Sequence, residues 1–208
     1  MLHLDNLTKR YGDHVLWQNL TRDIPSGTIT AIVGPSGSGK STLLNCIGLL
    51  DRPDEGTITL DDRPLSGLGQ RRRRLYRRNT LGYLFQNYAL IPDATVRENV
   101  VVAIPGQRTP ERSQRIAEAL EQVGLSGREA EPTHHFSGGE QQRLALARLI
   151  AKRPALILAD EPTGALDHGN AAVVIRTLRT LADDGATDLI ATHNDDVRDA
   201  CDERIDLG

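Results

Sequence analysis

Cysteine is nearly absent from this sequence, whose 208 residues contain only Cys46 and Cys201. Two cysteines cannot form the disulfide framework of a small secreted domain, and both lie in or beside helix-like stretches. We therefore expect buried, reduced thiols in a reducing compartment. The sequence also lacks an apolar run that could span a bilayer, and its first residues lack the basic-then-apolar layout of a secretion signal. These absences predict a cytosolic protein without direct membrane insertion.

An excess of positive charge is also absent, because the formal net charge is −3. This balance gives no sign of a nucleic-acid-binding protein. The stretch from Arg71 to Arg78 does hold six arginines, which suits either a patch for nucleic acid or lipid headgroups or a solvated helix face. We expect the solvated face, because acidic residues elsewhere outweigh this run. The length suits one domain, and no repeat or low-complexity tract interrupts it.

What the sequence does contain is a phosphate loop, Gly34-Pro35-Ser36-Gly37-Ser38-Gly39-Lys40-Ser41, which fits G-x-x-x-x-G-K-[ST] at every fixed position. The apolar run 29–33 predicts a buried strand before it. A helix should follow it, because apolar residues recur at helical spacing at Leu43, Leu44, Ile47 and Leu50. Backbone N–H groups of the loop and the helix N-terminus can together hold an anion.

The chemistry of this loop predicts a bound nucleotide and Mg²⁺. Lys40 should reach the β- and γ-phosphates, and the hydroxyl of Ser41 should hold Mg²⁺. A glycine-rich turn with no ligand would explain the glycines but would not explain Lys40-Ser41. The residues that we expect to contact the nucleotide here are Gly34, Ser36, Gly37, Ser38, Gly39, Lys40, Ser41 and Thr42.

A second acidic motif, Asp160-Glu161, ends the apolar stretch 156–159. A buried parallel strand that ends in a carboxylate would place Asp160 beside the phosphate loop as a Mg²⁺ ligand. Neighbouring residues on an extended chain point to opposite sides, so Glu161 can take another role. We expect Glu161 to be the general base for the attacking water.

The segment Ser137-Gly138-Gly139-Glu140 precedes a helix-like stretch rich in Gln, Arg, Leu and Ala. Ser-x-x-Glu at this place predicts a capping box. Paired glycines are poor residues for a helical first turn unless they have another duty, and behind a serine they suit a second anion-binding site. Both interpretations can hold together.

Strand signals alternate with helix signals along the chain, which predicts an α/β fold with a mostly parallel sheet. Segments near 2–11 and 16–24 should be antiparallel edge strands that lead into the phosphate-loop strand. Further strands are expected near 57–60, 81–85, 155–159, 188–192 and 205. Thr109-Pro110 starts one helix well and Gly124 ends it, within a helical insertion. Other helices should end before Pro154 and run from about 167 to 184.

The stretch Phe136-Ser137-Gly138-Gly139-Glu140 resembles the signature motif of ATP-binding-cassette (ABC) ATPases, usually Leu-Ser-Gly-Gly-Gln. It lies about 20 residues before Asp160-Glu161, as in that family. Phe136 and Glu140 depart from the usual motif and leave the Ser-Gly-Gly anion contact intact. The resemblance adds Glu140 to the residues expected near the nucleotide.

Other elements of the same family follow in order over nearly the whole chain. Tyr11 resembles the aromatic residue that stacks on adenine. Gln86 is similar to the glutamine that senses Mg²⁺ and the transporter subunit. Asp167 closes a stretch similar to the D-loop, in which Gly164 replaces the commoner Ser. His193 resembles the switch histidine. The catalytic set implied is Glu161, His193, Lys40 and Gln86, and the metal set is Ser41, Gln86 and Asp160.

The resemblance implies a P-loop ATPase fold over residues 1–208, with a helical subdomain at about 87–153. It implies a head-to-tail homodimer in which Ser137 to Gly139 of one copy close on ATP held by the other. A compact insertion without heptads, and one cassette instead of two, favour the ATPase subunit of a transporter over DNA-repair or translation-factor relatives. Such a subunit would be cytoplasmic, held at the membrane face by a separate permease.

Residues 82–91 and 95–100 are similar to an export branch that includes lipoprotein-release and macrolide-efflux ATPases. The sequence around Gln86 resembles that of lactococcin-type bacteriocin-export ATPases. A peptide, lipoprotein or drug-like substrate is therefore expected. Two other classes stay open: an ATPase that transmits force to cell-wall machinery without moving a solute, and a small-molecule kinase, which would not need Ser137 to Gly139.

Overall fold

The computed structural model describes residues 1–104, 106, 109–164 and 168–208, with only the backbone at 168–170. In these residues the chain alternates strands and helices. The strands are β1 (Leu2–Tyr11), β2 (His14–Ile24), β3 (Ile29–Val33), β4 (Glu55–Leu60), β5 (Arg63–Pro64), β6 (Leu81–Leu84), β7 (Leu156–Asp160), β8 (Thr187–Ala191) and β9 (Glu203–Asp206). The helices are α1 (Lys40–Ile47), α2 (Gln70–Asn79), α3 (Val96–Val101), α4 (Pro110–Gln122), α5 (Gly138–Lys152), α6 (His168–Asp183) and α7 (Asp195–Asp199).

Five strands form a parallel sheet in the order β6-β7-β8-β3-β9. Four others form an antiparallel sheet in the order β2-β1-β4-β5. The expected α/β architecture with antiparallel N-terminal strands is confirmed. The expected strands 2–11 and 16–24 exist, but they pair with each other, and β1 also pairs with β4, in a sheet separate from that of the phosphate-loop strand.

The parallel sheet is covered on both faces, so all five residues of β8 are buried. On one face Leu189 and Ala191 share a cluster with Leu43 and Ile47 of α1. On the other face Ile190 belongs to a cluster that includes residues of α5 and α6. A sheet covered on both faces has nearly continuous apolar strands, and each fully buried aliphatic side chain contributes about 1.5–3 kcal/mol. This packing fixes the positions of the strand ends.

Helix α4 follows its sequence signals closely. Thr109 is its N-cap and accepts a hydrogen bond from the backbone N–H of Arg112, while Pro110 occupies the first turn. Ile116 and Leu120 are buried as the spacing predicts. The expected continuation of the α1 apolar face to Leu50 is wrong, because α1 ends at Ile47 and Leu50 is exposed.

Between β6 and β7 the described chain holds α3, α4, a short 3₁₀ turn (Thr133–His135) and α5. Helix α3 begins with a capping box between Thr95 and Glu98. Arg148 of α5 donates to Oδ1 of Asn99 at 2.6 Å and to the backbone oxygen of Ala89 at 2.7 Å, so it connects α5 to α3 and to the segment after β6. None of the described helices is both long and apolar enough to cross a bilayer.

Both cysteines are free thiols, as the sequence predicts. Cys46 is buried on α1, and burial raises the pKa of its thiol to about 12. Cys201 is half-buried after α7, and burial raises the pKa of its thiol to about 11. Neither thiol is a reactive thiolate near neutral pH.

Candidate nucleotide site

The carboxyl ends of four neighbouring strands meet at one edge of the parallel sheet. The phosphate loop leaves β3, Asp160 ends β7, His193 follows β8, and Gln86 follows β6. In the register of the sheet Asp160 pairs with Ala191, and Leu84 pairs with Ala159. Ligands of open α/β sheets bind at this kind of edge. Topology therefore places at one edge residues that are up to about 160 positions apart in sequence.

The phosphate loop depends on glycine backbone geometry. Gly34, Gly37 and Gly39 have φ of 151°, 83° and 91°, which side chains adopt only with strain. A Cβ at Gly34 would also lie 2.6 Å from Oγ of Ser38. Gly39 is the N-cap of α1 and offers no side-chain cap, so N–H groups of the first turn stay free to bind an anion.

Lys40 is the first residue of α1 and spans the loop. Its Nζ donates to the backbone oxygens of Gly34 at 2.9 Å and Pro35 at 3.0 Å. Two buried groups here, Oγ of Ser38 and Nε1 of Trp17, have no hydrogen-bond partner among the described residues. Unpartnered buried donors beside an uncapped helix start suit a phosphate. Of the other predicted contacts, Ser36 is exposed in the loop and Thr42 is half-buried in the first turn of α1.

Ser41 and Asp160 are brought together across 119 positions of sequence. Oγ of Ser41 donates to Oδ1 of Asp160 at 2.9 Å. Burial is the main cause that raises the pKa of Asp160. The hydrogen bond from Ser41 and the charge of Lys40 lower this pKa, and the charge of Glu161 raises it further. A hydroxyl and a carboxylate are the hard oxygen ligands that Mg²⁺ prefers, and Mg²⁺ usually completes its shell with water and phosphate oxygens. These two residues therefore fit the ion.

Glu161 lies in a strained backbone position just after β7. Its φ is 46°, in the left-handed region that non-glycine residues rarely adopt. Its Oε2 lies 2.8 Å from Nδ1 of His193, whose side chain is 72% exposed while that of Glu161 is 17% exposed. The backbone N–H of Glu161 donates to the oxygen of Ala191 at 2.9 Å. Strain of this kind clusters at functional sites.

Gln86 is exposed in the turn after β6. Its backbone lies at the same sheet edge as Asp160, because β6 pairs with β7. Its side chain makes no hydrogen bond within the described part of the chain. Asp167, in contrast, lies outside the described residues.

Tyr11 closes β1 and is held by two neighbours that sequence reasoning missed. Its hydroxyl donates to Oδ2 of Asp51 at 3.0 Å, and Nζ of Lys9 lies 5.0 Å from the centre of its ring. Lys9 also forms an ion pair with Asp51 at 3.0 Å. The bond to Asp51 is the main cause that raises the pKa of Tyr11. These contacts fix the exposed ring near the C-terminal end of α1.

Ser137 is the N-cap of α5 and forms the expected capping box with Glu140. Oε2 of Glu140 accepts from the backbone N–H and from the hydroxyl of Ser137, both at 2.8 Å. Gly138 is exposed and Gly139 is half-buried. In the described residues no hydrogen bond joins this turn to the phosphate loop of the same chain.

Arg128 explains the departure from Gln at position 140, and the sequence patterns missed it. It forms ion pairs with Glu140 and, at 2.8 Å, with Glu131. Its guanidinium carbon also lies 4.3 Å from the ring centre of Phe136. The hydrogen bond from Arg128 is the first cause that lowers the pKa of Glu140 to about 2. The only signal in the sequence was Glu140 in place of the usual Gln, because an acidic residue there indicates a basic partner but does not identify it.

Comparison with known proteins agrees with this geometry. The family model described as ABC transporter matches residues 17–164. The chain is 40% identical over 214 residues to the L-cystine transport system ATP-binding protein TcyN of Escherichia coli K12, covering 98% of this chain and 85% of that protein. It is 41% identical over 213 residues to the lipoprotein-releasing system ATP-binding protein LolD of Gluconobacter oxydans, covering 99% of this chain and 92% of that protein.

The fold is similar to solved cassette structures as well. A dimeric structure of MJ0796, described as a bacterial ABC transporter cassette, has a TM-score of 0.88 and 38% identity, and covers 100% of this chain and 94% of that one. A dimeric post-hydrolysis state of the same cassette, bound to ADP and Pi, also has a TM-score of 0.88, with 37% identity and the same coverage.

Proposed function

The chain is an ATP-binding and ATP-hydrolysing member of the ABC transporter family, and from this premise we propose that it drives a separate membrane permease. The similarity to transport-system ATP-binding proteins supports this proposal. We further propose that residues 1–208 act as one ATPase domain, with about 87–153 as its helical subdomain. The protein would then lie at the cytoplasmic face of the membrane through the permease.

The catalytic proposal depends chiefly on the pairing of Glu161 with His193 at the sheet edge, 2.8 Å apart. Glu161 is the general base for water, and His193 orients its carboxylate. Lys40 binds the β- and γ-phosphates, and Tyr11 stacks on adenine. Ser41 and Asp160, with Gln86, would hold Mg²⁺, which would neutralise phosphate charge when bound.

The dimer proposal rests on the position of the second anion-binding turn. Ser137 and Gly138 are exposed at the start of α5, and the turn makes no hydrogen bond with the phosphate loop of its own chain among the described residues. We propose that this turn closes on ATP held by a second copy in a head-to-tail homodimer. The dimeric cassettes of similar fold support it. Asp167 belongs to this interface in the proposal.

An open groove between the parallel sheet and the helices suits the permease. It is lined by Tyr83, Ala89, Ile91 and Val102, with Arg148 behind them. Val102 is 60% exposed and Ile91 is 45% exposed. Exposed apolar side chains beside a groove are typical of a protein contact. The groove begins at the strand that leads to Gln86, so a permease segment bound there would lie next to the nucleotide site.

For the substrate we propose release or export of a lipoprotein or peptide, supported by similarity to lipoprotein-releasing ATPases from several bacteria. The comparisons offer no specific support for bacteriocin export. Transport of a small amino acid is the second candidate, favoured by the similarity to the L-cystine protein. Signalling to cell-wall machinery is the alternative in which no solute moves.

Reconstitution with a candidate permease in lipid vesicles tests this function. ATP-dependent release of a membrane-anchored lipoprotein would support the first candidate, and ATP-dependent transport of cystine would support the second. Hydrolysis with neither would favour signalling. In the same assay Val102→Asp should lower permease-stimulated hydrolysis and leave basal hydrolysis unchanged. Exposed Val15→Asp, on β2, is the matched control. If the permease stimulated hydrolysis by Val102→Asp and Val15→Asp equally, the groove would not be the permease-binding site.

A further inference from the structure

Positive charge is segregated on this chain to an extent that the nucleotide site does not explain. Residues 63–92 contain seven arginines and no Asp, Glu or Lys. The whole chain has a formal net charge of −3, so the other residues carry −10 against +7 in this segment. Helix α2 lies within it and holds six of the arginines. Charged residues of either sign would keep a helix face solvated, so solvation alone does not explain why every charged residue of this segment is an arginine.

Two of these arginines are structural. Arg73 donates through Nη2 to the backbone oxygen of Leu49 at 2.5 Å, and Arg77 donates through Nη1 to the same oxygen at 3.1 Å. They bind the C-terminal end of α1, where cations are favourable because of the helix dipole. Burial lowers the pKa of Arg73. The expectation that the whole run is solvated is therefore wrong for Arg73 and Arg77.

Arg71, Arg74 and Arg78 lie beside these two on α2, and Arg71 and Arg74 line the same open groove as Arg73 and Arg77. The spacing of Arg71, Arg74 and Arg78 by three and four places them in one stripe along the helix. All three are exposed, and no ion pair or hydrogen bond of their side chains occurs within the described residues. We name Arg71, Arg74 and Arg78 the basic stripe.

Two exposed leucines flank the basic stripe. Leu75 is 44% exposed and follows Arg71 by four residues on the same helix. Leu50 is 50% exposed and lines an open groove with Arg71 and Arg74. Exposed arginines with neighbouring leucines match the chemistry of a bilayer surface, where cations bind anionic headgroups and apolar side chains reach the acyl boundary.

We propose that the basic stripe of α2, with Leu50 and Leu75, binds a bilayer surface rich in anionic phospholipid. Nucleic acid is less suited, because Tyr76, the aromatic residue of α2, is buried and offers no stacking surface. The contact holds the ATPase at the membrane independently of a permease. It goes beyond the proposed function, since it depends only on the charge and exposure of this helix.

Vesicle flotation of the purified full chain tests the proposal. The chain should float with vesicles of phosphatidylcholine plus phosphatidylglycerol, and not with phosphatidylcholine alone. Binding should weaken in high salt, because salt screens exposed charges. Each basic residue near an anionic surface strengthens binding roughly fivefold, so the triple variant Arg71→Gln, Arg74→Gln, Arg78→Gln should bind on the order of 100-fold more weakly.

A matched triple variant, Arg22→Gln, Arg153→Gln, Arg204→Gln, removes the same charge from exposed positions outside residues 63–92. It should float like wild type, and basal ATP hydrolysis should be unchanged in both triples. Leu75→Gln should weaken flotation several-fold at constant charge. Equal loss in both triples, equal flotation with neutral vesicles, or no flotation of wild type would overturn the proposal. So would binding to nucleic acid that depends on the stripe while vesicles are not bound.

Discussion

His193 reaches from the end of β8 to Glu161 at the end of β7, and its Nδ1 lies 2.8 Å from Oε2 of Glu161. The two residues follow adjacent strands, β7 and β8, so the register of the sheet sets their approach. The left-handed φ of 46° at Glu161 turns the chain sharply after Asp160. One carboxylate can thus face the Ser41 hydroxyl while the next faces the histidine.

This relationship gives the first prediction, for Glu161→Gln. Gln keeps the size of the side chain but removes the base. General-base catalysis contributes about 10²–10⁴-fold in rate, or roughly 3–5 kcal/mol of barrier, so steady-state hydrolysis should fall by that factor. ATP binding should survive because the phosphate loop is unchanged. Phosphate release and nucleotide binding, measured on the same sample, check both parts.

The same variant tests the proposed dimer. ATP that is bound but not hydrolysed should hold two copies together, so Glu161→Gln should sediment as a dimer in ATP and as a monomer in ADP. Adding Ser137→Arg to Glu161→Gln should abolish the ATP dimer and leave the monomer folded, because Ser137 is exposed and loss of its N-cap bonds costs only about 0.5–2 kcal/mol. A normal hydrolysis rate, or a monomer in ATP, would remove Glu161 from this role.

The second prediction concerns Lys40→Ala. Lys40 supplies the point charge expected on the β- and γ-phosphates, so the variant should lose tight ATP binding. Its two hydrogen bonds within the loop are also lost, at a cost of about 0.5–3 kcal/mol each, since the donor is charged. Calorimetric titration with ATP measures the affinity, and thermal unfolding without nucleotide shows that the fold persists. Wild-type affinity in this variant is the result that contradicts the assignment.

The third prediction concerns the signature turn and the unusual Glu140. Glu140→Gln can still accept hydrogen bonds from Ser137 and should keep most hydrolysis, whereas Glu140→Ala removes the capping box and should lower it. Thermal unfolding with phosphate-release assays distinguishes the two variants. Arg128→Gln should raise the pKa of Glu140 from about 2 towards its usual value, which NMR titration of that carboxyl measures.

The pH dependence of this pair has a definite sign. Because the pKa of Glu140 is lowered on folding, its contribution to stability is present above about pH 4.5 and is lost as pH falls towards 2. Arg128→Gln should therefore flatten this acid limb of the unfolding curve. An unchanged acid limb would show that Arg128 does not set the pKa.

Local patterns predicted the phosphate loop well because its requirements are local. Gly34, Gly37 and Gly39 each have a positive φ, and Lys40 follows at a fixed offset. The ends of α4 were predictable for the same reason, since Thr109 forms its bond within the first turn. Such features depend on a few neighbouring residues, so they can be predicted from a short stretch of sequence.

Other features depend on tertiary contacts that no local pattern contains. Arg128 lies 12 positions from Glu140, and Asp51 lies 40 positions from Tyr11, so neither partner was predicted. The apolar spacing after the loop included Leu50, but α1 ends at Ile47. The pairing of β1 with β4 in a separate sheet was likewise not predicted, because the alternation of apolar and polar residues along a strand does not identify its partner strand.

Asp188 shows a tertiary effect of another kind. It lies in the middle strand β8, fully buried, and neither carboxylate oxygen has a hydrogen-bond partner among the described residues. It shares its sheet face with Ile190, because side chains alternate along a strand. Burial raises the pKa of Asp188 to about 8, although nearby Arg179 opposes the rise. The group is therefore mostly protonated near neutral pH in the folded chain.

The last prediction follows from that proton. The folded protein keeps it up to about pH 8, whereas the unfolded chain releases it near pH 4, so rising pH should favour unfolding between these values. The slope from this one group is at most about 1.4 kcal/mol per pH unit. Asp188→Asn removes the ionisation, so its unfolding free energy relative to wild type should rise by up to about 3 kcal/mol from pH 5 to pH 7. Urea unfolding at both pH values measures the difference, and exposed Asp184→Asn is the matched control, which should show no such rise. A constant difference between Asp188→Asn and wild type would mean that Asp188 is ionised in the fold, with an uncompensated charge inside the sheet.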